Sequence, residues 1–213
     1  LSCLADELPL HTIKLADFYI DRFEVTNAQY SECVDNGACT SPINLSSETA
    51  KAYFNEPAYA NHPVIYVPWV DADNYCRWAG KRLPTEAEWE KAARGVSAKL
   101  YPWGEGVPTC KLANVYDARA SGSCTGDTQA VGSYPDGASE YGVMDMAGNV
   151  WEWVNDWYSE TYYASSPMDN PLGPSSGDYK VLRGGGWNSN GVFLRTSGRS
   201  YDPDFNNSKD VGF

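Results

Sequence analysis

Histidine is nearly absent: the 213-residue chain has two, at positions 11 and 62. A three-histidine iron site therefore has no full set of ligands here. Cysteine stops at Cys124, so the C-terminal part offers no thiolate for a soft metal such as Cu(I). No C-x-x-C pair occurs, which disfavours a structural zinc site. Lys and Arg number 16 against 28 Asp and Glu, a formal net charge of −12. Such a chain has little with which to release counterions from a nucleic-acid backbone, and no attraction to an anionic membrane surface. No apolar run reaches the roughly 18 residues of a membrane-spanning helix. The opening Leu1-Ser-Cys-Leu has neither an initiator Met nor a leader pattern, as expected of a mature or trimmed product.

What is abundant is aromatic: eight Trp, fifteen Tyr and six Phe. The length suits one sizeable core, so residues 1–213 read as a single domain. The six Cys suggest three disulfides. Cys33 and Cys39 bracket a short Asn-Gly loop, Cys110 and Cys124 flank a polar loop, and Cys3 and Cys76 remain. An oxidising compartment follows, extracellular, periplasmic or at the cell surface.

Local signals place three helices early. Thr26 with Gln29 three residues on is a capping box, and the helix behind it ends near Asp35-Asn-Gly37. Pro68 fits the first turn of a second helix, stopped by Gly80. Thr85 and Glu88 make another capping box, for a helix Glu86–Arg94 ended by Gly95. Strand-like runs are His11–Leu15, Phe18–Val25, Val64–Val67, Val150–Trp153, Val181–Arg183 and Val211–Phe213. Residues 105–140 and 188–210 read as irregular loop. The class is α+β, loop-rich, with small antiparallel sheets and two or three short helices. That much loop needs disulfides, aromatic packing or an ion to hold it.

The stretch Tyr141–Trp153 draws attention first. Asp145 and Glu152 stand beside backbone that Gly148 leaves free to bend, and carboxylates with exposed carbonyls suit a hard cation.

Several segments together resemble the formylglycine-generating enzyme family, the sulfatase-modifying-factor domain of C-type-lectin-like fold. They are Asp21–Tyr30, Arg82–Gly95, Tyr101–Gly104, Val131–Pro135, Tyr141–Trp157 and Val181–Asn188, in the family's order over nearly the whole chain. The family's opening strand is missing before Leu1, and so is its Arg-Cys after Gly-Phe. That leaves Cys3 as the candidate partner of Cys76. The resemblance implies a structural calcium ion held by Asp145 and Glu152 side chains and by Gly148 and Val150 carbonyls. It also implies a second, doubtful calcium site at Asn114, Val115 and Asp127, with Asp117 as a further candidate. The family's oxidases carry a Cys pair that binds copper after the Gly-Gly-Ser turn. The matching stretch here, Gly186–Arg195, has no Cys, and Gly186 replaces the Ser. A sulfoxide-forming branch uses three His and iron. Neither copper nor iron is expected, and no catalytic residue is assigned.

What remains is a scaffold whose C-terminal segment, in related variable proteins, is the ligand surface. Here that segment is 187–210, with Trp187, Asn188, Ser189, Asn190, Phe193, Tyr201, Asp202 and Phe205 as candidate contacts. Rigid aromatics among small polar residues favour recognition. The expected function is a secreted or surface-exposed, bacterial, non-catalytic binding module whose partner is a protein or surface ligand. The alternatives are an oxidoreductase with an unrecognised site and a structural subunit of an extracellular assembly. Asn44-Leu-Ser and Asn206-Asn-Ser have the form of glycosylation sequons.

Overall fold

The computed structural model describes residues 4–119 and 121–213. Helices α1 (Asn27–Asp35), α2 (Trp69–Trp78) and α3 (Glu86–Arg94) lie where the capping signals put them. Both capping boxes form: Thr26 and Thr85 side chains accept from the N–H of Gln29 and Glu88, whose side chains reach back to the cap N–H. A two-residue hairpin, β1 (Tyr116–Asp117) with β2 (Gly122–Ser123), stands apart. The main sheet has the order β5-β4-β3-β6, with β3 Trp151–Trp157, β4 Lys180–Arg183, β5 Ser200–Asp202 and β6 Val211–Gly212. β3–β4 and β4–β5 are antiparallel, whereas β6 runs parallel to β3.

Three strand expectations are corrected. His11–Leu15 keeps one bridge, Lys14 to Asp169, and Phe18–Val25 forms no ladder. Val64–Val67 is buried but bonded piecemeal, Val64 N to Val25 O and Tyr66 N to Ser208 O. Alternation and apolarity mark a chain that would fit a pleated surface. Val64–Val67 is nevertheless buried by packing without a ladder, while His11–Leu15 and most of Phe18–Val25 lie half-exposed or exposed with no neighbouring strand to pair with. Conversely β5 lies inside the tail read as irregular.

Two of the expected disulfides are present, Cys33–Cys39 and Cys110–Cys124. Among the described residues Cys76 has no disulfide partner, and its thiol is buried. Its expected partner Cys3 lies outside the described residues.

Most of the core gathers on β3 and β4. Trp153 and Leu182 pack with Tyr30, Tyr75, Leu83 and Phe213, while Val154 and Val181 pack with Trp89 and Met146. Arginines carry much of the polar interior. Arg195 pairs with Glu7, Arg199 with Glu86, and Arg183 with Glu90, all largely buried. Breaking one such pair would strand a buried charge, a cost of about 3–5 kcal/mol.

Candidate functional site

The turn 141–150 is held in shape by left-handed backbone. Asp145 has φ 60°, Gly148 88° and Asn149 66°. At Gly148 a Cβ would meet Asn114 O at 2.4 Å and Val115 Cγ1 at 2.6 Å, so only glycine fits. Asn149 tolerates its conformation because every polar atom is used. Its N–H donates to Asn114 O (2.8 Å). Its Nδ2 donates to Glu24 Oε2 (2.5 Å) and Gln129 O (3.2 Å), and its Oδ1 accepts from Gln129 N (2.8 Å) and Asn114 Nδ2 (3.2 Å).

Three buried carboxyls surround this turn. Asp145 accepts from Gly132 N at 2.7 Å. Glu152 accepts from Trp89 Nε1 at 2.6 Å. Glu24, unassigned by sequence reasoning, accepts from Asn149 and from Val150 N at 3.1 Å. Among the described residues no ion pair involves any of the three. Burial pushes Asp145 up to about 6. Burial, then the Asp145 charge, pushes Glu152 up to about 8. Burial and the charges of Asp145 and Glu152 raise Glu24 well above the carboxylate range. Carboxyls that raise one another's proton affinity lack a countercharge, and a hard divalent cation would supply one.

Among the described residues no three His, Cys, Asp or Glu side chains converge as a metal cluster. Backbone oxygens would have to complete the shell. The Gly148 and Val150 carbonyls accept no hydrogen bond from the described residues, so both are free to do so. The donor set therefore fits a hard cation at Asp145, Gly148, Val150 and Glu152.

The second set does not fit. Asp127 Oδ2 already accepts from Ser47 Oγ (2.5 Å), Thr49 N (2.9 Å) and Thr49 Oγ1 (2.7 Å), and Oδ1 accepts from Thr128 N (2.8 Å). Burial works to raise its pKa, but these bonds hold it below the ordinary value. Asn114 Nδ2 bonds Asp127 O, and its Oδ1 accepts from Thr125. Val115 is core. Asp117 accepts from Cys110 N and Arg119 N.

In segment 187–210 the structure separates the candidate contacts. Trp187 and Ser189 are buried, which removes them from an exposed surface. Ser189 accepts from Gly186 N, and Lys209 Nζ lies 5.5 Å from the Trp187 ring centroid. Asn188 and Asn190 are exposed. Phe193 is half-exposed and edge-on to Trp151 at 5.9 Å. Tyr201 stacks on Tyr158 at 4.0 Å and sits 5.1 Å from Tyr179. Phe205 is 75% exposed, and Asp202 accepts from Asn206. No ring contact among the described residues joins Phe193, Tyr201 and Phe205 to one another, so the segment presents three separate aromatic side chains. At Gly186 a Cβ would lie 3.1 Å from Asp210 Cβ, too tight for a seryl side chain without a local shift.

Sheet, turn and order of motifs define a formylglycine-generating-enzyme-type fold. The sulfatase-modifying factor enzyme 1-like domain family matches residues 2–213, and the chain belongs to that family. It is 36% identical to the formylglycine-generating enzyme of Streptomyces coelicolor, over 97% of this chain and 80% of that protein. It is 44% identical to the serine/threonine-protein kinase Pkn1 of Chlamydia trachomatis over 86% of this chain. The chain spans only 30% of that kinase's length. Among solved structures, PvdO from Pseudomonas aeruginosa is 29% identical with a TM-score of 0.76, covering 99% of this chain and 84% of its own. Treponema denticola variable protein 1 is 25% identical with a TM-score of 0.74, covering 95% and 85%.

Proposed function

We propose that the chain is a non-catalytic binding module on this scaffold, with the exposed part of segment 187–210 as its contact surface. The observation that carries the reading is the segment after Gly186, which presents Asn188, Asn190, Phe193, Tyr201 and Phe205 to solvent and contains no Cys. Thiolate copper ligation has no donors there. Likeness to Treponema denticola variable protein 1 supports a recognition role. One Ca2+ at Asp145, Gly148, Val150 and Glu152 is structural, pinning the turn against β3. The disulfides favour an oxidising location, extracellular, periplasmic or at the cell surface. The partner is a protein or other surface ligand.

The test is an oxidase assay with a cysteine-containing sulfatase peptide, Cu(I) and air. No aldehyde product is expected. Formation of formylglycine with one bound copper per chain would sink the reading and restore an oxidoreductase.

A further inference from the structure

A cavity of about 600 Å3 lies between residues 7–15, one side of α3 and the loop 162–171. Besides the cations Lys91 and Arg94, its polar wall contains four carboxyls: Glu7, Glu86, Glu90 and Asp156. Three are neutralised by arginines. Glu7 takes Arg195 Nη1 at 2.7 Å, Glu86 takes Arg199 at 2.8 and 2.9 Å, and Glu90 takes Arg183 at 2.7 Å and Arg94 at 2.5 Å.

Asp156 is different. It projects from β3 and is only 3% exposed. Its Oδ2 accepts from Glu86 N, the first N–H of α3, at 2.8 Å. Among the described residues its Oδ1 accepts no hydrogen bond and no cation forms an ion pair with it. The cations near it are engaged elsewhere: Arg199 holds Glu86, and Lys180 Nζ donates to Asn155 O at 2.8 Å. Burial, then the Glu86 charge, pushes the Asp156 carboxyl up to about 7, as expected of an acid short of a partner.

The facing wall is apolar, from Leu8, Leu10, Ile13, Leu15, Tyr162 and Pro171. Leu10 is 84% exposed at its edge and packs on little else. The volume is that of a small-molecule site, apolar with a few fixed polar groups. The guanidinium groups at this wall are taken by Glu7, Glu86 and Glu90, and the Lys91 ammonium lies 5.5 Å from the Tyr141 ring centroid, so an anion would find no unengaged cation. A neutral donor could hydrogen-bond Asp156 Oδ1 but would leave its charge uncompensated. A bare metal ion would find one free oxygen where it needs six or more. We propose that this cavity binds a primary amine with an aliphatic body, its ammonium on Asp156 Oδ1 and its chain along Leu8, Leu10 and Ile13.

The test is isothermal titration calorimetry of the whole chain at neutral pH with hexylamine, hexanol and hexanoate, and with butylamine and octylamine. An ion-assisted hydrogen bond should make hexylamine bind about tenfold tighter than hexanol, with hexanoate weakest. Affinity should climb from butyl to octyl. D156N, which keeps an acceptor for Glu86 N, should erase the preference for amine over alcohol. L10S touches an exposed side chain, folds normally, and should flatten the dependence on chain length. Equal binding of amine and alcohol, an amine preference that survives D156N, or no binding by any of the five probes would overturn the proposal.

Discussion

Glu24 and Asn149, 125 positions apart, are joined by a hydrogen bond of 2.5 Å from Asn149 Nδ2 to Glu24 Oε2. The bond ties the segment entering α1 to the turn before β3, and the same asparagine holds Asn114 and Gln129. Four stretches of chain thus meet at one amide. Asn149→Ala would orphan several buried polar atoms at once. A loss of about 3 kcal/mol is expected, read as a shift in urea midpoint at unchanged slope. A change below about 0.5 kcal/mol would mean that water replaces the amide without penalty.

Calcium should stabilise the fold by binding the native state only. At a hundredfold excess over its Kd the gain is about 2.7 kcal/mol, a rise of several degrees in Tm. Chelator should reverse it, and Glu152→Gln should abolish it. Identical melting in calcium and in chelator would remove the ion from the structure.

The pH dependence of the metal-free protein has a definite sign. Glu152 in the fold titrates at about 8 against an ordinary 4.5, and Asp145 and Asp156 at about 6 and 7 against 3.8. The folded state therefore holds more protons than the unfolded chain across these windows. Stability is fully present below the ordinary values and falls as pH rises through the raised ones. Each group contributes a slope of about 1.4 kcal/mol per pH unit inside its own window. Melting in chelator should thus be higher at pH 5.5 than at pH 8.5, and calcium should flatten the difference. A metal-free protein that is more stable at pH 8.5 would contradict the carboxyl cluster.

Cys76 is buried, and burial followed by the charges of Asp73 and Asp21 pushes its thiol up to about 12. Its thiolate is scarce at neutral pH. Iodoacetamide followed by peptide mapping should leave Cys76 unmodified in the native protein and alkylate it in urea. Rapid native alkylation would place the thiol in solvent contact.

Two neighbours in the C-terminal segment should respond in opposite ways. Phe205→Ser, at a 75% exposed site, should change stability by less than about 0.5 kcal/mol. Leu194→Ala, at a fully buried one, should cost about 3 kcal/mol. Comparable losses would mean that Phe205 belongs to the core and not to a contact surface.

The helices were legible because their signals are local. Thr26 with Gln29 and Thr85 with Glu88 close their hydrogen bonds within one turn, so spacing alone defines them. The Cys33–Cys39 and Cys110–Cys124 loops were legible for the same reason. Strands depend on a partner. Phe18–Val25 alternates yet finds no ladder, while Ser200–Asp202, plain in sequence, pairs with Lys180–Leu182. At the candidate site Asp145 and Glu152 stood out within one motif. Glu24 did not, because nothing near it in sequence points to residue 149. Trp187 likewise reads as a surface aromatic until the lysine and backbone around it are known.

The parallel pairing of β6 with β3 orders events in time. Trp151 N bonds Asp210 O and Val25 N bonds Phe213 O, so residues 210–213 seal both the central strand and the approach to α1. A ribosome delivers these residues after everything they seal. The sheet cannot close around a nascent chain whose residues 210–213 are still in the exit tunnel, and until then β3 presents an unpaired edge that a chaperone or a second chain can occupy.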